Sequence, residues 1–440
     1  MLIMNRAGTV LTAAMIVLGV AMPARAGGGY FILGYGPYAN QSAGTATAVG
    51  MDAFAAASNP AKLSAVEDRV DLGLILFMPY RRVERTGSGT PYDFASTSDN
   101  DLFLLPEAGI AKRINDRWSW GVALYGNGGL NTEYHGNTGI PDTNANPGRC
   151  GSQPGNFFLG CGKVGFDLAQ VNLAPTLSWQ ATPKHSFGAT LLLTYQRFEA
   201  YGLEAFESVS QNPQALTGNG HDEALGAGIR IGWYGEITPW LDAGAAWSSR
   251  VYMQDFDDYE GLLADGGNFD LPENYNVGVA IKPDSRWTIG LDIQRIRYSD
   301  IPALDNGVLN SLNDPQGSPL GSGNGSAFNW ASNTIYKAAV AFDATDTLTL
   351  RGGYAYGDQT QRDDGPNSVS LNMFTPNAIH QVSLGLSWRL RANNELNFAY
   401  SRYTEVEYDG PSATAGLGVG GTEKLTARVD QVMLAWSWFP

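Results

Sequence analysis

Phe157, Phe158 and Leu159 stand together in an otherwise polar stretch, with Phe166 a short way on. Apolar side chains set among Gly, Asn and Pro suit a greasy ligand, which needs a mostly preformed surface and few polar anchors. The same cluster could equally pack against neighbouring loops. A ligand with a carboxylate would also want a cation. Strand parity turns Arg230, Lys337, Arg351 and Arg389 away from the apolar face, although charges inside a closed sheet more often pair with one another or with a plug. Cys150 and Cys161 lie in the same polar stretch. In an exported chain they most simply form one loop disulfide, the alternative being two free thiols.

Other chemistry finds little support. His135, His185, His221 and His380 are the only histidines, each isolated, with no His-Glu-x-x-His pattern. There is no Gly-x-Ser-x-Gly elbow and no phosphate loop ending in Gly-Lys-Ser/Thr. No catalytic residue, metal site or cofactor is therefore expected, and the chain is not read as an enzyme. A hydrolase triad scattered over strands would leave no motif and stands as a minor alternative. The net charge of −15 offers no basic stripe to replace phosphate counterions, which argues against nucleic acid.

The elements that would position these residues follow from export and periodicity. Arg6, the apolar run Ala7 to Met22 and Ala24-Arg25-Ala26 read as a secretory leader cleaved after Ala26, leaving 27–440 as the mature chain. Beyond it, no stretch approaches the about 18 apolar residues that a membrane helix needs. From Val70 onward the chain alternates with period two. Phe187, Ala189, Leu191 and Leu193 interleave with Ser186, Gly188, Thr190 and Thr194; Val382, Leu384, Leu386 and Trp388 interleave with Gln381, Ser383, Gly385 and Ser387. One face is apolar with Trp or Tyr near strand ends, as in a lipid-facing girdle; the other is rich in Gly, Ser and Thr, as a lumen lining would be.

Fourteen strands are predicted, near 70–84, 101–114, 117–133, 167–181, 186–200, 222–237, 240–256, 271–282, 286–299, 328–343, 347–359, 375–390, 395–409 and 424–439. Links after even-numbered strands are tight, such as Asn115-Asp116, Thr238-Pro239 and Asn393-Asn394, whereas links after odd-numbered strands are long and rich in Gly, Asn, Asp and Pro. Short turns on one side and long loops on the other define an antiparallel transmembrane β-barrel, residues 70–440, in outer-membrane lipid. Such a barrel lies between those filled by their own side chains and those open as aqueous pores, so it needs something inside. Residues 27–69, small-residue-rich and poor in charge, are predicted to fill it as short helical pieces rather than to dangle as a disordered tail.

At this point the residues resemble a family. Gly44-Thr45-Ala46 through Ser58-Asn59-Pro60-Ala61 is similar to the N-terminal hatch of the FadL/TodX family of outer-membrane hydrophobic-compound transporters, with its Asn59-Pro60-Ala61 turn before the first strand. Asn115 to Gly121, then Tyr125 to Tyr134, resembles the third strand of that family. The likeness covers essentially the whole mature chain in strand count and loop order. It departs at Pro440, which follows the expected terminal aromatic Phe439, and in the cysteine pair.

The resemblance implies a fourteen-stranded monomeric barrel plugged by a hatch and loading a hydrophobic small molecule. Long-chain fatty acids are the first expectation and aromatic hydrocarbons the alternative. It also implies capture among the outer loops and lateral exit beside an inward kink of strand three. Gly126, Gly128 and Gly129 interrupt that strand, and glycine within a strand marks a bulge or kink, or else an ordinary glycine-rich strand end. Arg197 sits where the family places a carboxylate-binding arginine, yet parity from Phe187 puts it on the outer face unless a bulge intervenes. A porin for polar solutes is the remaining reading.

Overall fold

The computed structural model describes residues 28–135, 150–151, 153–362, 372–373 and 380–440. The leader and residues 375–379 of the twelfth predicted strand lie outside these. Fourteen strands form one closed antiparallel ring. They are β1 Arg69–Thr86, β2 Phe103–Arg113, β3 Trp118–Tyr134, β4 Val164–Thr182, β5 His185–Tyr201, β6 Asp222–Thr238 and β7 Leu241–Ser248. Then follow β8 Asn274–Ile281, β9 Trp287–Ile296, β10 Asn333–Thr345, β11 Leu348–Gly357, β12 His380–Arg391, β13 Asn394–Pro411 and β14 Thr422–Trp438. The seam joins β1 to β14, from Val70↔Trp438 to Thr86↔Thr422. Two short ribbons, Phe94–Thr97 on β1 and Tyr252–Met253 on β6, extend the wall toward the loops.

The two faces of the strands explain the period-two pattern. Leu74, Leu191, Leu384 and Leu434 stand exposed on the outside, while Thr190, Ser383 and Gln431 between them are buried. Trp118, Trp179, Trp388, Trp436 and Trp438 are exposed near the tight turns, where an interfacial girdle belongs. Two predicted strands run too far. The seventh is expected over 240–256; its continuous ladder stops at Ser248, Val251 bridges to Leu271, the chain rejoins β6 at Tyr252 and Met253, and Phe256 is buried among loop residues. The tenth was expected from 328 but starts at Asn333, since Phe328 and Trp330 turn into the same loop core. Alternation alone does not tell a lipid-facing stretch from one packed under loops.

Residues 28–68 lie inside the ring. Helix α1, Gly36–Gln41, begins with Pro37 in its first turn, where the missing N–H costs nothing. Helix α2, Ala55–Ser58, runs into a 3₁₀ turn, Pro60–Ala65. The Asn59 side chain caps that turn by accepting from the Ala61 N–H at 3.1 Å, and its amide donates to Thr47 O at 3.0 Å and Trp233 O at 2.8 Å. Asn-Pro-Ala thus ties the turn to itself, to the preceding chain and to β6.

This inner segment touches all fourteen strands. Asp71, Glu107, Asn127 and Ser178 bond to it from β1 to β4. Asn276, Asp292, Lys337 and Arg351 do so from β8 to β11, and Ser387, Ser401 and Gln431 from β12 to β14. On β5 to β7 lumenal glycines let it approach closely, by its backbone at Gly188 and Gly244 and by the Asn59 side chain at Gly232. A Cβ on Gly188 would sit 2.3 Å from Pro60 C, one on Gly232 2.1 Å from Asn59 Oδ1, and one on Gly244 2.5 Å from Thr47 O. The glycines of the inner face are thus packing surface, and the segment is seated on them.

Candidate loop cavity and lateral break

The long loops fold over one mouth of the barrel with their own hydrophobic core. Phe157 is fully buried, stacked on Phe94 at 3.9 Å, and its carbonyl accepts from Arg85, whose guanidinium is held by Glu423. Cys150 and Cys161 are joined by a disulfide that closes the chain around Phe157 and Phe158. Phe158 and Phe166 are buried as well, so the cluster read in the sequence is covered by neighbouring loops rather than exposed. Both nonetheless border an apolar cavity.

That cavity draws on five loops: Phe158 and the start of β4, Leu203, Phe206 and Val209 after β5, and Leu262 and Leu263 after β7. Val308, Leu320 and Phe328 after β9, and Ala413 after β13, complete it. The lining contains two polar residues, Ser311 and Ser326, whose hydroxyls accept from each other's backbone N–H at 2.9 and 2.8 Å. No charged side chain is among the lining residues. The apolar lining fits a small apolar molecule. Replacing both cysteines with serine removes a constraint of about 3 kcal/mol on the unfolded loop. The expected result is a several-fold weaker affinity for an apolar probe, measured by fluorescence titration, with the barrel still folded.

Below the cavity an aromatic layer leads to the inner segment. Phe328 touches Trp330 at 6.0 Å, and Trp330 stacks on Tyr30 at 6.3 Å and meets Tyr298 edge-on at 5.3 Å. Phe31 packs against Tyr298 at 5.9 Å and lines a second cavity, together with Leu33, Tyr35, Arg230 and Lys337.

The inward cations are occupied. Lys337 Nζ donates to Leu33 O at 3.3 Å, Gly44 O at 3.1 Å and Gln294 Oε1 at 2.8 Å. Arg351 donates to Gln41 Oε1 and Ser387 Oγ, both at 2.6 Å, and Arg230 to Ala57 O. Arg389 pairs with Glu67 at the turn end. Asp292 Oδ2 accepts from Ala46 N, Thr47 N and Thr47 Oγ1 within 2.9 Å. Asp292→Ala is expected to weaken the seat of the inner segment by about 3 kcal/mol, seen as cleavage within residues 44–50 by a protease that spares the wild type.

Arg197 is on the outer face. The β4–β5 register runs without a shift from Gly165↔Tyr201 to Gln180↔Ser186, so parity holds, and Arg197 pairs with Asp167 at 3.3 Å.

The barrel wall is interrupted beside β3. Pairing of β2 with β3 stops at Ala108↔Leu124, and from Tyr125 to Tyr134 the ladder of β3 continues with β4 alone. Continuing the β2–β3 register would set Pro106 opposite Gly126. Proline has no N–H to give a ladder, so it belongs on an unpaired edge. Between Gly126 and Gly128 the β3–β4 register shifts, so Asn127 and Gly128 together face Gln170. That is a β-bulge, which bends the strand that carries it.

The inner segment fits into the bend. Ile32 N donates to Asn127 O at 3.1 Å, Gly129 N donates to Tyr30 O at 3.3 Å, and a Cβ on Gly128 would sit 2.1 Å from Tyr30 O. Above, Asp99 N donates to Glu133 O at 2.9 Å and bridges the break, next to an exposed group formed by Asp99, Glu133 and His135. Neither Pro106 nor that group was singled out from sequence, since both need the register of β2 against β3.

The family model described as outer membrane protein transport protein (OMPP1/FadL/TodX) matches residues 161–435, and the chain belongs to this family. Among solved structures it is similar to the toluene transporter TodX of Pseudomonas putida, with 17% identity, 93% of this chain and 99% of that one covered, and a TM-score of 0.66. A Pseudomonas aeruginosa FadL homologue gives 15%, 94%, 100% and 0.66, and the toluene transporter TbuX of Ralstonia pickettii 16%, 93%, 99% and 0.61. At these identities the likeness shows the fold. No curated protein sequence matches the chain. The protein is an outer-membrane β-barrel of a transport family for hydrophobic compounds.

Proposed function

We propose that this chain takes up a hydrophobic compound in the loop cavity, passes it through the aromatic layer, and releases it sideways at the break between β2 and β3. The observation that carries this is an apolar cavity without a charged lining residue, set over an inner segment that also pairs with the bulge of β3. In this reading residues 1–26 are a removed leader, 27–69 are the hatch, and 70–440 are the barrel. One chain supplies every part, so the unit is a monomer. Nothing in the route asks for a cofactor or for catalysis.

The same observation bears on the cargo. Long-chain fatty acids are the sequence-based expectation, but a carboxylate in an apolar cavity has to be desolvated without a partner. Lys337, Arg351 and Arg230 already hold the inner segment. An uncharged hydrocarbon needs no such partner, and the solved relatives TodX and TbuX are named toluene transporters. We therefore favour a neutral compound such as a monoaromatic hydrocarbon. The test compares binding of toluene and a long-chain fatty acid between pH 4 and pH 8. Toluene binding should be independent of pH, and the fatty acid should tighten toward low pH as its carboxyl is neutralised. Tighter binding of the ionised acid would overturn the neutral-cargo reading. Unchanged uptake of both compounds after gene deletion would overturn transport itself.

A further inference from the structure

We propose that Lys112, Arg117 and Lys184 form a seat for the headgroup of an anionic phospholipid in the periplasmic leaflet, at the foot of β2 to β5. The reasoning starts from charge accounting in a chain with 28 basic and 43 acidic residues. Its cations are scarce, and nearly all are taken. At the loop end of the barrel Arg82 pairs with Glu84, Arg402 with Asp430, Lys424 with Glu407 and Arg428 with Glu405. Inside, the cations hold the inner segment. Among the described residues five cations have neither an ion pair nor a side-chain hydrogen bond: Lys112, Arg113, Arg117, Lys184 and Arg391. Three of these five, Lys112 at the end of β2, Arg117 before β3 and Lys184 before β5, stand at two adjacent turns, while Arg113 shares the lumenal side of its partner Ser119.

The turns are held together. Gln180 N donates to Arg117 O at 2.8 Å, and Trp118 stacks on Trp179 at 6.1 Å on the outer face. All three cations are exposed. Three acids lie close by: the Asp68 carboxylate accepts from the Arg113 backbone N–H at 2.7 Å, Glu236 N donates to Lys184 O at 2.8 Å, and neither of these acids nor Asp116 forms an ion pair with the cations.

Tight turns face the periplasm in such barrels, and tryptophan marks the membrane–water boundary. Cations at that level meet lipid phosphates, which arginine grips with two parallel N–H donors. A lipid seated there would lay its acyl chains along the outer face of β2 and β3, directly under Ala108↔Leu124 where the ladder stops. The seat stands whether or not the break passes cargo, so its failure and the failure of the transport reading are separable.

The experiment is native mass spectrometry of the purified barrel exchanged into micelles of equal phosphatidylglycerol and phosphatidylcholine. The wild type, the triple variant Lys112→Gln/Arg117→Gln/Lys184→Gln, and Arg391→Gln as a distant control are compared. Each cation near an anionic headgroup contributes about fivefold in affinity, so the triple variant should retain phosphatidylglycerol about a hundredfold less tightly. The control should match the wild type, and 0.5 M salt should release the lipid from the wild type. Equal retention of the two lipids, a triple variant that behaves like the wild type, or lipid retention insensitive to salt would each overturn the proposal. So would preferential capture of an acidic peptide with no lipid preference. If the triple variant does not fold, the salt arm on the wild type decides.

Discussion

Deletion of Gly128 is expected to cut uptake of a hydrophobic probe at least tenfold while leaving its affinity for the loop cavity unchanged. Asn127 and Gly128 share one partner, Gln170, across the β3–β4 ladder. Removing one of them restores a single register through β3. It also preserves the face of every other residue, because Gly126 stays outward and Leu130 inward. Without the bulge the strand has less reason to bend from β2, and the contact of Tyr30 and Ile32 with the bulge is lost. Pro106 still cannot donate, so Pro106→Val in the same chain should deepen the defect. The cavity lies among the loops, built by residues from Phe158 to Ala413 and none from β2 or the bulge. Uptake by cells and equilibrium binding to purified protein are the two measurements. Uptake at the wild-type rate through a straightened β3 would remove the lateral route.

A second large effect is expected from Gly188→Val combined with Gly353→Val, which should turn a poorly conducting barrel into one with stable ion conductance in planar bilayers. A Cβ at Gly188 would lie 2.3 Å from Pro60 C, and one at Gly353 would lie 2.3 Å from Ser42 C. Both neighbours are backbone atoms, which cannot swing aside as a side-chain tip does. Overpacking typically costs about 1–3 kcal/mol at each site, and the two sites press on the inner segment at separate points, Pro60 and Ser42. The strands themselves gain β-branched residues, which suit them. The relief is therefore displacement of the segment rather than loss of the ring. A folded variant that stays non-conducting would mean that the polar contacts of Asp292, Lys337 and Arg351 hold the segment against that pressure.

Much of the ring was legible because lipid outside and a packed interior inside impose opposite demands on successive residues. Phe187 and Leu191 against Ser186 and Thr190 could be assigned to faces from order alone. Legibility ended where another apolar environment imitated lipid. Phe256 and Trp330 continue the rhythm of β7 and anticipate β10, yet both are buried under loops. The glycines of β3 were visible as an interruption, whereas Pro106 acquires meaning only through the strand it faces. Parity turned Lys337 and Arg351 inward but could not name what they meet, since Leu33, Gly44 and Gln41 are about 300 residues away. The cavity was glimpsed at Phe158 and Phe166. Phe206, Leu263 and Phe328 were not, because single apolar residues in separate loops carry no pattern until the loops meet.

The inner segment bonds to β1 and to β14, on either side of the seam, as well as to the wall opposite. A cylinder sealed before the segment was seated would leave Asp71, Asp292 and Gln431 facing an empty bore. Closing the last hairpin around the first residues would instead give each of these groups its partner as the seam forms, so that the leading part of the chain acts as a mandrel to whose gauge the wall fits.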